Sequence, residues 1–186
     1  MTVCSMSMAR TGLAVWLLAA AAPALAQNQS PTATPPAATP TQSFRGWALD
    51  CLVPKSGEGA GKRVCFIHHE VHNKDDARLI AARVVVRRAG PQQKLMLIIQ
   101  LPPNTTQLSG IMATIDVNKP RPVAIQGCLP NFCYGAAEMT PDLEGEAKGG
   151  SQMTLSFAAR DRGAQQISVP LAGITAALAA LQKTGS

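Results

Sequence analysis

Four cysteines, Cys51, Cys65, Cys128 and Cys133, follow an apolar leader, and their even number restricts the fold more than any other feature. The leader reads as a secretory signal. Arg10 supplies a short positive region, Leu13 to Ala22 an apolar core, and Ala24-Leu25-Ala26 an A-x-A cleavage site. Residues 1–26 are therefore expected to be removed, leaving Gln27 as the new N-terminus. A spanning helix needs about 20 apolar residues, and the run before Pro23 is roughly half that. No cysteine follows the cleavage site, which argues against a lipid attached there. Cys4 leaves with the leader, so the remaining four should form two disulfides in an oxidising compartment. Four cysteines allow three connectivities. The local pairs, Cys51 with Cys65 and Cys128 with Cys133, are favoured because each is close in sequence and spans turn-forming residues. In the chain-entropy model the first loop is worth about 3 kcal/mol and the second about 2 kcal/mol.

Residues 27–43 read as a linker. Ser30-Pro-Thr-Ala-Thr-Pro-Pro-Ala-Ala-Thr-Pro40 has almost no large apolar residues and cannot offset the entropy of ordering it. The folded domain is expected over 44–186. Its pattern is mostly of period two. Trp47, Leu49 and Cys51 alternate with Ala48 and Asp50; Ile111, Ala113, Ile115 and Val117 alternate with Met112, Thr114 and Asp116; Met153, Leu155 and Phe157 alternate with Thr154 and Ser156. Each run predicts a strand with one buried face. Leu79 to Val86 and Leu95 to Leu101 are more continuously apolar, which predicts central strands covered on both sides. Turn signals separate the runs, among them Gly90-Pro91, Pro102-Pro-Asn104 and Gly149-Gly150. About nine short strands predict an antiparallel β-sandwich. After Pro170, Leu171, Ile174, Leu178 and Leu181 fall at helical spacing, which predicts one short C-terminal helix. No stretch of the mature chain is long and apolar enough to span a bilayer.

Of 17 Lys and Arg only Arg10 is lost with the leader, so 16 basic residues face 11 acidic ones. The excess lies between Lys62 and Lys94, where eight basic residues oppose Glu70, Asp75 and Asp76. Arg78, Arg83, Arg87 and Arg88 are the candidate basic contact surface, suited to an anionic polymer or lipid. Arg83 and Arg87 share strand parity and are expected to face one way. A nucleic-acid partner is not expected: the chain is exported and shows neither a recognition-helix pattern nor a basic-aromatic repeat.

The candidate metal ligands are His68, Glu70 and His72. The spacing is not H-E-x-x-H, and Arg63-Val-Cys-Phe-Ile67 before it reads as a strand. On a strand these three share a face, with His69 turned away beside Ile67 and Val71. Zinc or copper is the metal class such a set would hold. Cys128 and Cys133 enclose four residues, whereas a redox pair is normally C-x-x-C at a helix start. Strand ends around a Pro-Asn turn make them a structural staple, with a thiol-disulfide role as a lesser reading. Gly57 to Lys62 resembles a phosphate loop only superficially, since Ser56 and Arg63 stand where that motif needs Gly and Ser or Thr. No G-x-S-x-G occurs, and the histidines are confined to 68–72. No catalytic residues, no enzyme and no cofactor are expected.

The cysteine-bearing segments also carry a resemblance. Gly46-Trp47-Ala-Leu-Asp-Cys51, Val64-Cys65-Phe-Ile, Leu101-Pro102 with Leu108-Ser-Gly110, Ile115-Asp116, Cys128-x₄-Cys133 before Tyr134-Gly-Ala, and Val169-Pro170-Leu-Ala-Gly173 stand in one order. In that order and spacing the chain resembles the invasion-associated locus B (IalB) family of exported proteins from Gram-negative bacteria, over roughly residues 44–182. Phe132 and Ile174 depart from the family's usual glycine and aromatic. The resemblance implies an immunoglobulin-like β-sandwich, located in the periplasm, at the outer membrane or secreted. It also implies a non-enzymatic binding or host-interaction factor, in pathogens associated with colonisation or invasion. Its partner would be an unidentified envelope or host-surface component. A metal-binding role for His68, Glu70 and His72 is the alternative.

Overall fold

An alternating strand buries its apolar face only when a second layer lies against it. A computed structural model of the protein describes residues 42–184, and each alternating run is there a strand with its apolar side inward. The expected leader and residues 27–41 of the expected linker lie outside the described residues.

The strands are β1 (Gln42–Phe44), β2 (Trp47–Leu52), β3 (Val64–His72), β4 (Ile80–Ala89), β5 (Lys94–Leu101), β6 (Ile111–Ile115), β7 (Arg121–Val123), β8 (Ile125–Cys128), β9 (Cys133–Glu138), β10 (Gln152–Ala159) and β11 (Gly163–Pro170). Helix α1 (Pro141–Gly149) precedes β10, and helix α2 (Ile174–Thr184) ends the domain. Two antiparallel sheets result. One has the order β1-β2-β3-β4-β5-β9-β8 and the other β11-β10-β6-β7. The sandwich expected from sequence is therefore present, with eleven strands among the described residues instead of nine. β1 and β7 have three residues each, too few to display an alternation. β1 also begins at Gln42, inside the segment read as linker.

The core is formed by the facing sides of the two sheets. Trp47, Leu49, Ile67, Val84, Val86, Leu97 and Ile99 come from the large sheet; Ile111, Ala113, Ile115, Met153, Leu155 and Val169 come from the small one. Ile174, Leu178 and Leu181 of α2 are buried with them, as their helical spacing predicts, and Leu171 is buried from the turn before the helix. β4 and β5 are central in the large sheet, but they are not buried equally on both sides. Val85 is buried, while Met96 and Ile98 on the same outer face are only partly so. The β6 alternation stops at Ile115. Asp116 turns the chain with φ +47°, and its carboxylate accepts from the N–H groups of Ser151 (2.9 Å) and Gln152 (3.0 Å). Val117 is consequently exposed.

Helix α1 has no counterpart in the sequence reading, which placed a turn at Gly149-Gly150. Its signals are at its start: Thr140 caps Leu143 N–H, Pro141 occupies the first turn, and Asp142 and Glu144 complement the dipole. Gly145 within it and only two buried residues, Leu143 and Ala147, leave no usable period.

The two ends of the domain meet. The Trp47 indole is fully buried, and its Nε1–H donates to Pro170 O at 3.0 Å across 123 residues. Gly173, with φ +93°, lies against the Phe44 carbonyl so closely that a Cβ would collide with it. Replacing Trp47 by Phe would shrink the core and leave a buried carbonyl without its donor. We expect Trp47→Phe to cost about 2–4 kcal/mol. A lowered urea midpoint at unchanged slope in equilibrium unfolding would show this.

Candidate functional site

The sequence-predicted residues fall into three places. On the outer face of the large sheet, β2, β3 and β4 align Asp50, His68, Glu70, His72 and Arg83. The strand parity is as expected: Glu70 lies within 3.9 Å of both His68 and His72, while His69 points the other way. The ligand set is nonetheless taken up by neighbours. His68 Nε2–H donates to Asp50 Oδ2 at 2.8 Å. Glu70 stands directly opposite Arg83 across the β3–β4 ladder, and Arg83 Nε approaches Glu70 Oε1 to 3.3 Å. Arg83 also lies over the Phe66 ring, 5.9 Å from its centre. Among the described residues no group of three or more His, Cys, Asp or Glu is arranged to hold a metal ion. The Glu70 carboxylate thus faces a guanidinium, and one imidazole is hydrogen-bonded to Asp50.

His69 sits on the inner side of β3. Its ring lies 5.5 Å from that of Trp47, and Nδ1–H donates to Gly46 O at 2.8 Å. Gly46 has φ +95°, and a Cβ there would press on the His69 ring. Burial lowers the His69 pKa from its ordinary 6.5, against the opposing pull of the Gly46 carbonyl.

The cysteines form the two local pairs at bonding distance, each across directly opposed strand positions. Cys51–Cys65 closes the loop between β2 and β3, and Cys128–Cys133 closes the β8–β9 turn. Cys133 is buried, and neither member of that pair is at a helix start. This is the setting of a staple and not that of an activated thiol.

The basic residues divide. Arg78 lies in the β3–β4 connection and is paired with Asp76 at 3.1 Å, which lowers the Asp76 pKa through hydrogen bonds from the Arg78 side chain and backbone. Arg83 and Arg87 do share the outer face, but Arg83 is held by Glu70 and Arg87 Nη2 by Glu58 Oε2 at 2.8 Å. Arg78 precedes β4 and Arg88 lies near its far end. Arg87 and Arg88 instead join Lys62 and Arg63 in a cleft of about 460 Å³, between the β2–β3 loop, the β4–β5 turn, and Leu181 and Thr184 near the end of α2. Sequence reading found Arg87 and Arg88 and missed the partners that the loop folds onto them. The one available signal was the net positive bias from Lys62 onward.

The comparisons agree with this architecture. The family described as Invasion associated locus B (IalB) protein matches residues 47–182. The crystal structure of invasion associated protein b from Bartonella henselae is similar in fold. It has a TM-score of 0.65 at 21% identity, covering 80% of this chain and 100% of that one. No curated protein matches the chain by sequence. No helix among the described residues is long and apolar enough to cross a membrane.

The His69 environment makes a pH prediction. Its folded pKa lies below the unfolded value, so the folded state prefers the neutral ring. That stabilisation is fully present above pH 6.5 and is lost as pH falls from there towards the folded pKa. Melting temperature is therefore expected to drop on acidification from about pH 7.5 to about pH 5.5. In His69→Asn, which stays neutral and places an amide N–H where Nδ1 faces Gly46 O, that drop should be smaller; thermal scans of both proteins across the range decide it.

Proposed function

This chain belongs to the invasion associated locus B (IalB) family, and from that premise we propose that it is an exported, non-enzymatic envelope protein that acts by binding an acidic polymer. The observation that carries this reading is the cleft in which Lys62, Arg87 and Arg88 are gathered, with Glu58 the one carboxylate among its described lining residues. Like charges repel, so folding gains little from collecting them, whereas an anionic partner is attracted by all of them together. The site is concave, which favours a projecting sulfated or phosphorylated sugar over the plane of a bilayer.

Export is supported by the leader at Leu13 to Ala26, by the two cysteine pairs, and by family membership. The compartment proposed is the periplasm, the outer membrane or the exterior, after cleavage near Ala26. The name of the Bartonella henselae protein associates that protein with invasion. Carried to this chain, it suggests that the acidic polymer belongs to an envelope or a host surface.

Binding to heparin, a sulfated glycan, tests the proposal. Affinity is expected to fall at least about tenfold between 50 mM and 500 mM salt, because surface charges are screened within a Debye length. Heparin binding that is absent at low salt, or indifferent to salt, would sink the reading. Binding confined to phosphatidylglycerol vesicles would reassign the partner to lipid.

A further inference from the structure

Glu58 lies on the β2–β3 loop, which the Cys51–Cys65 bridge closes at its base and a Gly61 N–H to Pro54 O bond (2.9 Å) closes within. From there its carboxylate reaches the far side of the cleft. Oε2 accepts from Arg87 Nη2 at 2.8 Å, and Oε1 accepts from the backbone N–H of Gly90 at 2.5 Å. A guanidinium and a backbone N–H converging on one group are the donors that oxyanion sites use.

The turn that carries the Gly90 N–H is held without help from Glu58. Gly90, at φ +70°, opens the β4–β5 turn, and its carbonyl accepts from both the backbone N–H (3.1 Å) and the side-chain amide (3.0 Å) of Gln93. Arg88 Nη1 holds the Gln93 carbonyl at 3.0 Å. Arg87 is anchored on β4, and its side chain is 25% exposed; that of Glu58 is 51% exposed. The carboxylate is thus the solvent-side partner and can leave without unpacking the core. The space where a Gly90 Cβ would stand is open. Lys62 and Arg88 line the same cleft, so any anion there gains from cations beyond the two donors. The Glu58 pKa is lowered, chiefly by the Gly90 N–H and then by Arg87, in keeping with a site that favours negative charge.

We propose that Glu58 is an internal occupant of an oxyanion site formed by Arg87 and the Gly90 N–H, and that the sulfate or phosphate group of an acidic glycan displaces it. The proposal rests on the reading of the cleft as an acidic-polymer site and adds which donors seat the anion and what holds the site closed. Losing the Glu58 charge favours anions in either case by simple electrostatics. Displacement is marked by the ligand taking over the Gly90 N–H, so the Gly90 amide resonance of wild type moves on phosphate titration, whereas a clasp that stays in place leaves it unmoved.

The test compares wild type with E58Q, both with disulfides formed, in heparin binding at low salt and in titration with inorganic phosphate followed at the Gly90 amide resonance. Removing one unit charge a few ångströms from the anion is expected to tighten both by about fivefold. Adding Arg87→Gln to E58Q should abolish the gain. Equal or weaker heparin and phosphate binding by E58Q, with wild type still binding heparin in a salt-dependent way, overturns the displacement and leaves the proposed function standing. Tighter phosphate binding by E58Q with no heparin binding by either protein keeps the oxyanion site and removes the glycan. Should neither ligand bind either protein, both readings fall.

Discussion

The hydrogen bond from Trp47 Nε1 to Pro170 O joins the second strand of the domain to the last. β2 belongs to the seven-stranded sheet and β11 to the four-stranded one, so this bond spans the sandwich where the two sheets meet. Each sheet is antiparallel and apolar on its inner face, and neither can hide that face alone. The indole brings a large buried surface and uses its one polar atom to satisfy a carbonyl at the end of β11. Around it, the glycines make close approach possible: Gly46 beneath the His69 ring and Gly173 against the Phe44 carbonyl. The opening Gly46-Trp47 and closing Pro170-Leu-Ala-Gly173 segments are thus two halves of one contact.

That contact also governs the placement of α2. With Gly173 pressed on β1, the helix lays Ile174, Ala177, Leu178 and Leu181 into the core, and its last residues reach the cleft beside Arg87 and Arg88. Meanwhile Cys51–Cys65 holds the base of the β2–β3 loop, so the loop's only freedom is above the bridge, where Glu58 and Lys62 lie. Structure and site are therefore linked through one end of the molecule. The bridge limits the loop, the loop carries the carboxylate, and the carboxylate meets an arginine of β4 and the N–H of a turn that holds itself together.

The outer face of the large sheet shows what a reading along one strand contains and what it leaves to its neighbours. Parity on β3 put His68, Glu70 and His72 on one face, and they are there. What parity on a single strand does not contain is the neighbouring strand. Register between β3 and β4 sets Arg83 opposite Glu70, and register between β2 and β3 brings Asp50 within reach of His68. Both are cross-strand relations, and they surround the three residues with ion pairs and ring contacts.

From the sequence by itself came the strand character of the alternating runs, the apolar face of α2, the antiparallel sandwich and the local cysteine pairs. These depend on spacing of two or 3.6 residues or on short loops, and such spacing is written along the chain. The three-residue strands and α1 carried too few residues, or too much glycine, for a period to show. The grouping of Lys62 and Arg63 with Arg87 and Arg88 around Glu58 was decided only in three dimensions. Strand register and loop closure bring together side chains about 25 residues apart, and long-range approach of that kind leaves no periodic trace in sequence.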